Sequence, residues 1–151
     1  MDTTILLIGT CFVIAAVVIC IALVILQSKK NKGIKLQLDR LEIEKNKIDS
    51  TPIIPELSKV ESFLKNEKLE AMYNNWKNRL DVIRTNQIPK ITDMLLEADY
   101  SLSKMDYKST LYKIAKLEME LYKVRTNSEF LLNEIKGQTK LANDSSVQFA
   151  K

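Results

Sequence analysis

The sequence predicts an all-α protein: an N-terminal single transmembrane helix followed by an antiparallel helical bundle. Three observations carry this. Ile5 to Leu26 form an uncharged run of 22 residues. The 151-residue chain contains only three Gly and three Pro. Beyond the run, apolar residues recur at alternating steps of three and four, the period of one helix face, and β-branched alternation is not sustained anywhere.

At about 1.5 Å per residue the run covers roughly 33 Å, matching a hydrocarbon core of about 30 Å. A cleavable signal peptide would have a positive leader and a shorter apolar stretch. Here the leader, Met1 to Thr4, has no Lys or Arg, so a retained anchor is expected. All 23 Lys and Arg follow Ser28, led by Lys29, Lys30, Lys32 and Lys35. The positive-inside rule then places residues 1–28 as an extracellular N-terminus and anchor, with the remainder in the cytoplasm. The four lysines are expected membrane-surface contacts, each worth about 1 kcal/mol against anionic lipid. Cys11 and Cys20 both lie inside the span, where they read as small apolar packing residues and not as a disulfide framework.

Residues 29–54 read as a basic juxtamembrane segment and linker helix. Ile34, Leu38, Leu41, Lys45 and Ile48 step by four, three, four and three, a short heptad seam with one Lys in it. This helix is expected from about Gly33 to Asp49, in continuity with the span, and Pro52 and Pro55 end it. A second helix is expected to start near Pro55 or Glu56, since proline suits a first turn. Leu57, Val60 and Leu64 form its stripe, with Phe63 beside it. Lys65 to Lys68 is polar all round, a turn or continuous helix. Met72, Trp76, Leu80 and Ile83 form the next stripe, flanked by Tyr73. Pro89 predicts a kink or break near Asn86 to Ile88. Ile91, Met94, Leu95, Ala98 and Leu102 then share a face. Ser103 to Asp106 is an expected turn, with Asp106 capping the last helix. That helix carries the longest seam: Leu111, Ile114, Leu117, Leu121, Val124, Ser128, Leu131 and Ile135. Gly137 and the polar run Asn143-Asp144-Ser145-Ser146 are expected to end it, leaving 137–151 as a polar, frayed tail.

The composition removes several functions. There is no His, and no Cys lies beyond the span, so acid–base, metal and thiol chemistry lose their usual residues. No Gly-rich loop exists to cradle phosphate. No enzyme, metal or cofactor is expected. The cytoplasmic part holds 23 basic and 18 acidic residues, net +5, interleaved along helices. That is a solvated helical surface, and no nucleic-acid partner is expected. Trp76 and the five tyrosines read first as core and core-edge packing, with partner anchoring as the functional alternative.

One stretch resembles a known family. Tyr73-Asn74-Asn75-Trp76-Lys77, Leu80-Asp81-Val82-Ile83, Gln87-Ile88-Pro89-Lys90-Ile91 and Met94-Leu95-Leu96-Glu97-Ala98-Asp99 occur in that order. Together with the anchor and basic flank, they resemble the N-terminal portion of the septation ring formation regulator EzrA. The Pro55 to Val60 step and the Met105 to Lys108 helix start fit the same pattern. The resemblance implies a spectrin-like helical bundle over residues 55–136, part of a membrane-tethered rod in a low-GC Gram-positive bacterium. Trp76, Pro89, Lys90, Leu95, Leu96, Glu97 and Ala98 are the motif residues carried over, with packing roles. It also implies regulation of the septum ring built from the tubulin-like protein FtsZ. FtsZ and other division proteins are the implied partners, with location at the midcell septum; the apolar helix faces separately leave room for a second copy of the chain. Family members are several times longer, so a truncated product or N-terminal fragment is expected. The alternative is a membrane-tethered coiled-coil adaptor unrelated to division.

Overall fold

A computed structural model describes the backbone of residues 2–62 and 67–148, and the side chains of residues 8–62 and 67–141. All regular structure among them is helical: α1 (Asp2–Asp49), α2 (Ile53–Glu61), α3 (Glu67–Val82), a π-helical turn (Ile83–Gln87), α4 (Ile88–Ser103) and α5 (Tyr107–Gln148). Two compact units divide the chain, Met1–Gln37 and Leu38–Lys151.

In the first unit, every side chain described from Ile8 to Lys30 is exposed. A helix apolar on all sides with no protein cover is the pattern expected of a membrane span. It is the one helix among the described residues long and apolar enough to cross a bilayer. α1 runs on through Gly33, in the expected continuity with the span.

The second unit is built from three helical limbs. The end of α1 with α2 forms the first, α3 with the π-turn and α4 the second, and α5 the third. Arg79–Glu134 (2.7 Å) and Lys90–Glu120 (3.0 Å) run down one limb and up the other, so the second and third are antiparallel. Glu44 meets Arg125 at 3.8 Å, while Ile48 and Thr51 line a groove with Ser128. The first limb therefore ascends with α5. This is an up-down-up three-helix bundle.

The core follows the stripes. Leu38, Leu41, Ile48, Ile53, Leu57 and Val60 from the first limb meet Trp76, Leu80, Ile83, Ile91, Ala98 and Leu102 from the second. From α5 come Ile114, Leu117, Leu121, Val124, Leu131 and Ile135. Fully burying one Leu or Ile side chain contributes about 1.5–3 kcal/mol, so these seams dominate the unit's stability. Lys45, the polar member of the first seam, is half-buried and reaches Thr92 Oγ1 at 3.4 Å.

Five local outcomes differ from the sequence reading or sharpen it. α2 begins at Ile53, two residues ahead of Pro55, because a proline in the first turn forfeits only an N–H that has no helical partner. α3 begins at Glu67, so Glu67 and Lys68 are helical; Phe63, Leu64, Lys65 and Asn66 lie outside the described residues. Near Pro89 the α-helix is interrupted where expected, in the form of a π-turn over Ile83–Gln87 and not of a chain break. The chain widens into the π-turn, and the Ile88 N–H donates to the Ile83 carbonyl five residues back. The wider turn accommodates a ring that would crowd the carbonyl of Thr85. Leu111 is 46% exposed while Thr110 is fully buried. Two successive steps of three leave Leu111 about 120° behind Leu117, and Thr110 falls on the core face instead. Finally, α5 passes through Gly137 to Gln148, with Thr139 still buried. Packing outweighs the penalty of about 1 kcal/mol for a mid-helix Gly.

The α4–α5 turn is built as expected, with more detail. The Met105 N–H donates to Leu102 O (2.9 Å) and the Asp106 N–H to Ser101 O (3.1 Å), the paired bonds of a Schellman cap. The left-handed residue is Met105, at φ 58°, where glycine is usual. Asp106 then caps α5, its Oδ1 accepting from the Ser109 N–H at 3.1 Å.

Candidate functional site

Inside, Trp76 is 1% exposed between α3 and α5. Its indole N–H donates to the Glu134 carboxylate, which also accepts from Arg79 Nη1 at 2.7 Å. The Arg79 guanidinium lies 5.6 Å from the Phe130 ring centroid. The Arg79 and Trp76 hydrogen bonds hold the Glu134 carboxyl below its ordinary range, against the opposing effect of burial. One polar cluster thus locks the tryptophan and fixes the register of two helices.

A second cluster lies on the surface. Glu120 accepts from Lys90 (3.0 Å) and from Lys123 (3.1 Å), and those bonds lower its pKa. Tyr73 has its pKa raised by burial, and then by the charge of Glu61 and a hydrogen bond to it.

The motif residues divide between the interior and the surface. Trp76 and Ala98 are buried, and Leu95 is half-buried. Pro89 is exposed in the first turn of α4, and Lys90 reaches across to Glu120. Leu96 is 64% exposed, and Glu97 is exposed with Lys113 3.9 Å away. Lys29, Lys30, Lys32 and Lys35 are exposed on α1 in the first unit.

The aromatics correct the packing expectation. Trp76 is core, and Tyr73 and Tyr107 are half-buried, but Tyr100, Tyr112 and Tyr122 are exposed. Tyr112, Met119, Tyr122 and Phe130 lie on the side of α5 opposite its core seam. Their steps of seven, three and eight repeat the helix period, which is the sequence signal for a second stripe. The Glu134 partnership with Trp76 had no comparable signal, since the two are 58 positions apart.

Two grooves open between the limbs. One of about 330 Å³ is lined by Asn75, Asn78, Arg79, Gln87 and Asn127 with Val82 and Ile83. The other, about 190 Å³, is lined by charged side chains around Ile48 and Ser128. In the second, the Ser128 hydroxyl has no hydrogen-bond partner and Thr51 Oγ1 donates to the Lys47 carbonyl at 3.2 Å. Among the described residues, no group of three or more acidic or Cys side chains is arranged to hold a metal.

The family model described as septation ring formation regulator, EzrA, matches residues 12–150. The chain belongs to the EzrA family. The septation ring formation regulator EzrA of Bacillus licheniformis is 30% identical over 104 residues, covering 69% of this chain and 18% of that protein. Its namesake in Listeria welshimeri is 29% identical over 125 residues, covering 83% and 21%. That of Bacillus subtilis is 27% identical over 124 residues, covering 82% and 22%. The chain thus spans about a fifth of the length of these EzrA relatives. No solved structure matches it.

Proposed function

We propose that the chain is a membrane-tethered helical regulator of septation ring formation. In this reading α1 crosses the cell membrane with its N-terminus outside, and the second unit lies at the cytoplasmic surface. Lys29, Lys30, Lys32 and Lys35 hold the headgroup layer. The helical unit engages division proteins, FtsZ among the candidates, through side chains and not through chemistry. It is a binding module and not an enzyme.

The family match over residues 12–150 is the observation that carries this reading. It is supported by an apolar, uncovered α1 and by a bundle whose polar clusters serve structure. The test is a fluorescent fusion to the C-terminus of the chain in dividing cells, beside a fusion that keeps only residues 1–37. The full chain is expected at midcell, and the short one spread evenly over the membrane. An even distribution of both would contradict the proposal.

A further inference from the structure

α5 presents a second face to solvent. Tyr112, Tyr122, Phe130 and Leu141 are each at least 60% exposed, and Met119 is 58% exposed. At about 100° per residue these five fall within about 50° of one line, opposite the core seam, in a strip about 44 Å long. Thr126 lies on the same line, and so does Gly137, where an added Cβ would meet nothing within 4 Å. Single exposed apolar residues are ordinary, but a strip at helical period is the pattern of a contact surface. Aromatic residues, Met and Arg are the types that interfaces concentrate, and the Arg125 guanidinium stands 5.6 Å from the Tyr122 ring centroid at the edge of the strip.

The charges beside the strip identify the partner. One flank carries Glu118, Arg125, Glu129 and Lys136, all exposed. Their order reverses in sign about Asn127. Glu118 and Lys136 each lie nine residues from it, and Arg125 and Glu129 each lie two. A two-fold contact is isologous: where residue i meets j, j meets i. A second α5 laid antiparallel with its centre at Asn127 therefore sets Glu118 against the second copy's Lys136, and Arg125 against its Glu129, each pair twice. The apolar strip has the same centre. Tyr112 lies fifteen residues before Asn127 and Leu141 fourteen after, so these two meet, and the small Thr126 sits at the crossing. On the other flank Lys123 comes within about one helical turn of the second copy's Glu134. A parallel pair would instead turn each flank toward the opposite one, and Glu129 would face the like charge of Glu134. Within one chain Arg125 reaches Glu44 only at 3.8 Å, so its guanidinium gives up little by turning to a second copy.

We infer that the outer face of α5 is a self-association surface, on which two copies of the chain pair antiparallel across Asn127. The apolar strip supplies the contact, and the two charge pairs fix its direction and register.

The experiment uses the full chain in dodecyl maltoside micelles. Sedimentation compares the wild type with Glu118→Lys, Lys136→Glu and the double reversal. Each single reversal is expected to weaken pairing at least about ten-fold, because it places like charges together at two symmetric points. The double reversal restores both pairs and should return to within about three-fold of the wild type. Direction is read separately in a Cys11→Ala, Cys20→Ala background, by oxidative cross-linking. Ala115→Cys mixed with Gly137→Cys should form a mixed disulfide dimer, and Ala115→Cys alone should form none. A monomeric wild type overturns the inference. So does pairing that ignores both single reversals, which would assign it to another part of the chain. Cross-linking of Ala115→Cys alone, without the mixed product, shows a parallel pair and also overturns it.

Discussion

Arg79 and Glu134 meet at 2.7 Å across 55 residues of sequence, and the same carboxylate takes the indole N–H of Trp76. This contact joins α3 to α5 at a point where the core is otherwise apolar. Both partners of the ion pair are about a third exposed, so its direct Coulombic contribution is small, under about 1 kcal/mol. The larger quantity is the buried indole, which needs an acceptor.

Glu134→Ala should therefore cost about 1–3 kcal/mol, the penalty for leaving a buried donor unpaired. Glu134→Gln keeps an acceptor for the indole and should cost less than about 1 kcal/mol. Urea unfolding followed by circular dichroism separates the two. The lowered Glu134 pKa also sets a pH dependence. Its stabilisation is fully present above the ordinary carboxylate value of 4.5 and fades as pH falls through the lowered folded value. The wild-type chain should lose stability in that acid range, and Glu134→Gln should lose less of it.

Trp76 and Leu96 belong to the same sequence motif but should behave oppositely. Trp76 is 1% exposed, and Trp76→Ala is expected to cost about 3–5 kcal/mol. Leu96 is 64% exposed, and Leu96→Ala should stay within about 0.5 kcal/mol. Thermal unfolding of both variants under one set of conditions checks this.

Ser128 occupies a core position of the α5 seam, and its buried hydroxyl has no hydrogen-bond partner. Ser128→Ala removes that unpaired group and keeps nearly the same volume. Stability should rise by about 1 kcal/mol, read as a shift in the urea midpoint without a change in slope.

Met105 holds a left-handed backbone at φ 58°. A residue with a Cβ pays about 1–2 kcal/mol there, so Met105→Gly should raise the stability of the helical unit by roughly 1 kcal/mol.

Much of this fold was legible because burial follows helical period. Ile114, Leu117, Leu121, Val124, Leu131 and Ile135 were readable as one seam, and all are buried. The Asp106 cap was readable from residue type and position. What escaped was decided by forces outside the local pattern. Pro89 reads as a kink or break near Asn86 to Ile88, and only the form of the interruption, one widened turn, escaped. Gly137 reads as a stop, but neighbouring packing carries the helix through. Leu111 reads as inward because it is apolar, although the helical phase favours Thr110. The exposed Tyr100, Tyr112 and Tyr122 follow the same logic, since angular position and not residue type sets their burial. Glu134 could not be found from sequence, because its role depends on which helices meet.

The central claim is that the helical unit regulates septation from a membrane tether. The most direct measurement is the spacing of septa along dividing cells as production of the full chain is raised in steps, beside cells producing residues 1–37 alone. The account predicts that septum spacing changes with the level of the full chain and stays constant with the short one. Constant spacing at levels where the full chain is visibly on the membrane would contradict it.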